Sequence, residues 1–365
     1  MPEDTTYQPL HLLALEDALK LAGISPTATP EERQKAAGVQ HYPVLIHEQL
    51  KPWLVENFPP KGDDDYPVNV TRLIRNLLWQ TKEQVAAGGA PFKDLLRTYW
   101  YKHVKPTLAR ADSLSSRTDQ YKNLSENMAD LVKVYQVLKY KDIGFRDENL
   151  PNRLVGDFRH VIPFAEKLGH FGSLSELHAK HQVSVIALGG QPSVMNVEYF
   201  VDDLKKRRPG LLRRSFYLYS IVDFDPSGWI IRKAFLDDLR FYGIKSPMVE
   251  DLINPDALEP EEILRLRFPV PAGPDMEEKN RRWLEIVSPR YANMKHLIDE
   301  TPEGRTLYGL HAEVFSIEML DAKLHELMEP ILHQDEAQLK VYEMRRLDKA
   351  VSDLILFKAT HPDIP

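Results

Sequence analysis

Beyond Pro151 the sequence alternates short β-branched or aromatic runs with amphipathic stretches of helical period. HVIPFAE, FGSLSELHAKH, VSVIAL, SVMNVEYFVDDLKK, SFYLYSIVDFD and GWIIRKAFLDDLRFYG follow one another in order. This β-α-β-α-β-α rhythm predicts an open, largely parallel sheet with crossover helices. Ligands in such sheets bind outside the carboxyl ends of the strands. The residues that end each apolar run therefore carry the most information about chemistry.

Two runs end in carboxylates. SIVDFDPSGW places Asp223 and Asp225 two residues apart, and residues so spaced in a strand point to one side. Oxygen ligands of this kind suit Mg²⁺, which takes one or two carboxylates and keeps several waters. The same residues also fit an Asp-Pro turn in which Asp225 caps the next helix. Glu166 ends the earlier run HVIPFAE, so strand-end acids come from two strands, as a divalent-metal phosphoryl-transfer site needs. Alone, Glu166 also fits a helix-start acid favoured by the macrodipole.

The flanking regions read as mostly helical. Leu10 to Leu21 is closed by Gly23, and TPEE offers Thr29 as N-cap, Pro30 at the first helical position and Glu32 completing a capping box. The acidic loop PPKGDDDYP marks a boundary. From Asn69 to Tyr140 three helical patterns follow, a scale that fits a winged helix or helix-turn-helix. After about Ala257 the chain reads as charged and helical to its end. These shifts divide it into residues 1–66, 67–150, 151–257 and 258–365.

Composition removes several classes of function. Among 365 residues there is no cysteine, which excludes disulfides, thiolate metal sites and cysteine nucleophiles. No apolar run approaches the roughly 20 residues of a membrane span, and MPEDTTYQPL lacks the form of a secretory signal. A cytoplasmic protein with no membrane partner is expected. The net charge of −7 means that any nucleic-acid contact must come from local patches.

The order of these motifs resembles the Toprim domain in the version found in the A subunit of topoisomerase VI and its meiotic double-strand-break relatives. EKLGHFGSL matches that family's Glu-Lys pair, with Phe171 and Leu174 at the later aromatic and leucine positions. GGQP entering a helix and DFDPSG match its two further segments, although Gly189 stands where the family usually has lysine. The resemblance implies an α/β protein: a helical N-terminal part, a winged-helix (CAP-like) domain, a Rossmann-like Toprim domain with a parallel sheet, and a C-terminal helical extension. It implies Mg²⁺, with Mn²⁺ as a substitute, held by Glu166, Asp223 and Asp225. It also implies double-stranded DNA as substrate, a homodimer, and a separate GHKL-type ATPase subunit as a further partner. No Walker A loop, Rossmann glycine fingerprint or ATP-binding element of the B-subunit kind is found in the sequence.

The family cuts DNA with a tyrosine in a motif of arginine, two variable residues, an aromatic and the tyrosine. LLRTYWYKHV supplies Arg97, Thr98, Tyr99, Trp100 and Tyr101, which puts Tyr101 at the nucleophile's position with Arg97 one turn back and Tyr99 as the fallback. The aromatic triplet also fits a packed core cluster. Lys93, Lys102, Lys105 and Arg110 make this region basic, and Lys205, Lys206, Arg207 and Arg208 form a second patch; both could neutralise phosphates or simply stay solvated. His178 and His181 share a helix face without a third ligand and are expected at the surface. The resulting expectation is a topoisomerase VI A-like, metal-dependent DNA-cleaving enzyme that forms a covalent 5′-phosphotyrosyl intermediate. A hydrolytic Toprim nuclease of a defence-type complex and a non-catalytic DNA-binding scaffold subunit are the alternatives.

Overall fold

Tertiary contacts in the computed structural model divide the chain into two compact units, Met1–Glu148 and Asn149–Pro365. The structure describes residues 9–61, 66–115, 120–157, 160–190, 193–207, 215–246, 248–302 and 304–332, with a few positions between 344 and 355. The boundaries expected after residues 66 and 257 fall inside these units. Among the described residues no helix is long and apolar enough to cross a membrane.

The first unit is helical: α1 (Leu15–Leu21), α2 (Pro30–Ala37), α3 (Lys51–Asn57), α4 (Val70–Ala86), α5 (Leu96–Tyr99), α6 (Lys105–Arg110), α7 (Gln120–Lys133) and α8 (Tyr140–Ile143). Thr29 and Glu32 form the capping box of α2. The single helix expected from Leu10 to Leu21 is divided: Leu10–Leu12 form a 3-10 turn whose Leu10 and His11 amides donate to the buried Asp130 carboxylate, Leu13 is extended, and α1 begins at Leu15. At the centre lies α4, capped by Asn69, with Leu73, Ile74 and Leu78 fully buried. Among the described residues of this unit there is no β-strand, so the ribbon that would add a wing to the helical core is not among them.

Between α5 and α6, Trp100–Val104 winds as a π-turn. Pro106 explains it: a proline has no N–H for the Lys102 carbonyl four residues back, and its ring crowds that carbonyl. The helix widens instead, with the Lys105 N–H donating to Trp100 O, and the Thr107 hydroxyl donates to the His103 carbonyl at 2.6 Å.

In the second unit, β1 (Arg153–Leu154), β2 (Val161–Ala165), β3 (Val185–Ala187), β4 (Tyr217–Ile221) and β5 (Met248–Asp251) form one sheet in the order β1-β3-β2-β4-β5. β1 pairs antiparallel with β3, and all other neighbours are parallel. The crossovers are α9 (Phe171–His181), α10 (Val194–Arg207) and α11 (Pro226–Phe241). Strand residues alternate between two faces. Val161, Ala165, Tyr219 and Ile221 pack with α9 and the C-terminal helices, whereas Ile162, Phe164 and Leu218 pack with α10 and α11.

The segment after Ala257 departs from the expectation that it is helical throughout. Alongside α12 (Pro260–Leu266), α13 (Pro274–Val287) and α14 (Ile317–Leu332) it holds a three-stranded antiparallel sheet, β6-β8-β7, made of β6 (Phe268–Pro269), β7 (Ile298–Thr301) and β8 (Gly304–Gly309). These strands are short and polar on their exposed side, so they carry little period-2 signal. Trp283, Leu324 and Met328 belong to the core beneath the parallel sheet, which makes the C-terminal segment part of the same unit.

Candidate functional site

Strands β2 and β4 are adjacent and parallel, yet the chain leaves β2 for β3 on one side and β4 for β5 on the other. Their carboxyl ends therefore form a topological switch point, the place where ligands bind in open α/β sheets. Glu166 follows β2 and Asp223 follows β4, so the fold brings these two strand-end acids together there.

Asp223 is anchored from three directions. Its Oδ1 accepts from the Ala312 backbone N–H at 2.9 Å and from Lys167 Nζ at 3.1 Å, and its Oδ2 lies 3.3 Å from His311 Nδ1. Burial opposes its ionisation, but the Ala312 N–H, Lys167 and His311 outweigh that and hold the carboxyl below its usual range. The next residue, Phe224, forms an isolated antiparallel bridge with Leu310, which carries His311 and Ala312 to Asp223. Gly228 makes the turn possible: a Cβ there would lie 2.1 Å from the Asp223 carbonyl oxygen.

Asp225 is the N-cap of α11, its Oδ1 accepting from Gly228 N–H at 2.7 Å, with Pro226 at the first helical position. Burial and then, against the Gly228 N–H, the Asp223 charge push its carboxyl up. Burial and the Asp223 and Asp225 carboxylates do the same to Glu166, against the Asp223 backbone N–H. Glu166 Oε2 is buried and has no hydrogen-bond partner. A carboxylate oxygen left in that condition beside two further acids is donor chemistry suited to a hard divalent cation.

Two residues that the sequence motifs did not single out complete this corner. Among the described residues, the ligand atoms of Asp223, His311 and Glu313 all lie within 4.8 Å of one another. Lys167 sits among them, its ammonium 3.0 Å from Asp223 Oδ2 and 3.0 Å from both Glu313 oxygens. Burial works against that charge, but Glu313 and Asp223 hold the Lys167 ammonium above its usual range. The only sequence signal was the His-x-Glu spacing after TLYGL, which has no fixed distance from DFD.

Gly189 adopts φ +76°, the left-handed region, where a side chain would be strained. No phosphate contact comes from a lysine at that position. Gln191 and Pro192 of the GGQP segment lie outside the described residues.

In the first unit, Tyr101 lies on the π-turn and is 52% exposed, with Lys105 Nζ 5.5 Å from its ring centroid. Arg97 is exposed at 5.6 Å from the Tyr121 ring. Tyr99 is a core residue: its hydroxyl donates to Leu77 O at 2.9 Å, and burial pushes the phenol far above its usual range. Its ring packs against Phe92, Phe145 and His103. The aromatic triplet thus splits, Tyr99 and Trp100 inward and Tyr101 outward.

The basic residues divide similarly. Lys93 and Lys105 are exposed, and Lys102 reaches Asp94 at 3.4 Å. Arg110 instead donates to the carbonyls of His47 and Gln49, which ties down a loop. Lys206 pairs with Asp203 at 3.1 Å, and Lys205 and Arg207 end α10. Arg208 lies outside the described residues. His181, expected at the surface, is fully buried and hydrogen-bonds Asp321 of α14, because α14 covers the face of α9 that carries it. His178 is partly buried, its ring Nδ1 2.8 Å from the Val183 carbonyl.

The class that fold and site define is a mixed α/β protein with an acid cluster at the switch point of a largely parallel sheet. No protein-family model matches the chain, and no curated protein matches it in sequence.

Proposed function

We propose that this protein is a divalent-metal-dependent DNA-cleaving enzyme, in which Tyr101 is the nucleophile and Glu166, Asp223 and Asp225 form the metal-binding face. The observation that carries this reading is the acid cluster at the switch point, with Glu166 Oε2 buried and unpartnered beside Asp223. Bound Mg²⁺ would supply charge neutralisation on a phosphate oxygen. The chain's own residues do the rest. Asp223 is held ionised by Ala312 N–H, Lys167 and His311, so it is ready to accept a cation. Exposure leaves the Tyr101 hydroxyl open to a backbone phosphate, and Arg97, Lys102 and Lys105 offer counter-charge around it.

In the reaction, Tyr101 Oη bonds to phosphorus and the bond from phosphorus to the 3′-oxygen breaks. The phenolic proton passes to solvent, and the 3′-oxygen leaves as the alcohol with a proton from solvent. The family resemblance assigns tyrosine and acids to opposite protomers, so the proposal takes the active form as a homodimer that cuts both strands of double-stranded DNA.

Supercoiled DNA incubated with protein and Mg²⁺ or Mn²⁺ tests this directly. Breaks that appear only after denaturation and protease digestion, and vanish in Tyr101→Phe and Asp223→Ala, are expected. Protease-independent breaks that persist in Tyr101→Phe would replace transesterification with hydrolysis by metal-activated water. No breaks under any condition would leave a DNA-binding scaffold.

A further inference from the structure

We propose that His311 and Glu313 join Asp223 as ligands of a mixed nitrogen and oxygen metal site, and that Lys167 is the internal cation a metal must displace. The inference rests on the metal-binding reading above and adds to it the ligands, the metal preference and the role of the lysine. Six-coordinate divalent ions with bonds of about 2.1 Å place neighbouring ligand atoms about 3 Å apart and opposite ones about 4.2 Å apart. The three side chains already bring their ligand atoms within 4.8 Å, so only small rotations separate them from that geometry.

The arrangement is built rather than incidental. The His311 ring stacks on Phe268 with centroids 3.9 Å apart and planes 11° apart, which fixes the direction of Nδ1 toward Asp223. The bridge between Phe224 and Leu310 sets the height of the segment. Between the two new ligands, Ala312 is buried and gives its N–H to Asp223, so His311 and Glu313 flank the carboxylate they would share a metal with. Behind them His170 Nε2 is buried without a hydrogen-bond partner, 3.7 Å from Glu313 Oε1.

Charge completes the case. Glu166, Asp223, Asp225 and Glu313 place four carboxyl groups at this corner, and Lys167 brings one ammonium, which touches Asp223 and Glu313. That ammonium lies where a cation bridging the two carboxylates would lie. A metal ion carries twice its charge and accepts imidazole, which an ammonium does not. Once displaced, Lys167 is free to turn toward an anionic substrate. An imidazole ligand also moves preference away from Mg²⁺, which favours oxygen, toward first-row transition ions. The affinity order expected is Mg²⁺ below Mn²⁺ below Co²⁺.

Mn²⁺ titration of the full-length protein, followed by electron paramagnetic resonance without DNA, tests the assignment. Expected results are ¹⁴N coupling to bound Mn²⁺, lost in His311→Ala and His311→Gln, with affinity about tenfold weaker or more in these variants and in Glu313→Gln. Lys167→Met should bind Mn²⁺ about fivefold more tightly or better, since a competing positive charge is gone. Near-UV circular dichroism of each metal-free variant confirms the fold. Mn²⁺ binding that is lost in Asp223→Asn but unchanged in the His311 and Glu313 variants, without ¹⁴N coupling, overturns this inference and spares the broader metal reading. Weaker binding in Lys167→Met overturns the displacement role. Undiminished binding in Asp223→Asn overturns both readings.

Discussion

The two regions assigned to chemistry are built in opposite ways. In the second unit two of the acids are held in place, Asp223 by Ala312, Lys167 and His311 and Asp225 as the N-cap of α11, with the turn between them set by the close approach at Gly228. In the first unit Tyr101 stands exposed on a π-turn, while its neighbour Tyr99 takes the buried place. A metal site of the proposed kind gains from preorganisation, because carboxylates held close together in advance need only small rotations and the displacement of Lys167 to receive a cation. A nucleophile on a macromolecular substrate must instead remain reachable. Within one aromatic triplet Tyr99 fills the core while Tyr101, two residues on, faces the surface, as the proposed attack on DNA would need.

Substitutions at both regions can break that comparison. The largest effect is expected for Tyr101→Phe, which should abolish covalent protein–DNA adducts while leaving Mn²⁺ affinity unchanged; adducts that persist would remove Tyr101 from the chemistry. Gly228→Ala comes next. Its Cβ would clash with the Asp223 carbonyl, so stability should fall by about 1–3 kcal/mol in denaturant unfolding, together with metal affinity. Tyr99→Phe removes the hydrogen bond to Leu77 and should cost about 1 kcal/mol of stability without reducing adduct formation.

Two smaller effects sharpen the contrast. Replacing Lys105 by alanine should lower the slope of log affinity for DNA against log salt by about 1, whereas Arg110→Ala should act mainly on stability, since its guanidinium holds carbonyls. The smallest concerns acid. Asp321 is held low, burial being outweighed by the His181 hydrogen bond and charge and by Lys180, so the stability it contributes is complete above its unfolded pKa. That contribution disappears as pH falls through the lower folded value, and Asp321→Asn should flatten this part of the acid-unfolding curve.

The sequence exposes Glu166, Asp223 and Asp225 because each ends an apolar run, a purely local signal that survives without tertiary information. His311 and Glu313 lack such a signal. They reach Asp223 through a bridge to Leu310 that joins segments far apart in the chain, and no periodicity encodes that pairing. The alternating rhythm disclosed the parallel sheet, but β6 to β8 went unread since stretches such as IDETPEGRTLYG mix charge with few apolar residues. The burial of His181 was hidden for the same reason: its partner Asp321 lies on a helix contributed much later. Pro106 within a helical pattern does flag a local break, but not that the break would widen into a π-turn beneath Tyr101.

The hydrogen bond from Ala312 to Asp223 spans 89 residues. During synthesis at about 5–20 residues per second, roughly 4–18 s separate the two ends of that bond, and until the later one emerges from the ribosome the carboxylate lacks its anchor. A nascent chain would therefore carry its DFDPSG turn before Asp223 has the backbone donor that holds it in the folded protein, so under the metal-binding reading proposed above the site would be completed late in synthesis.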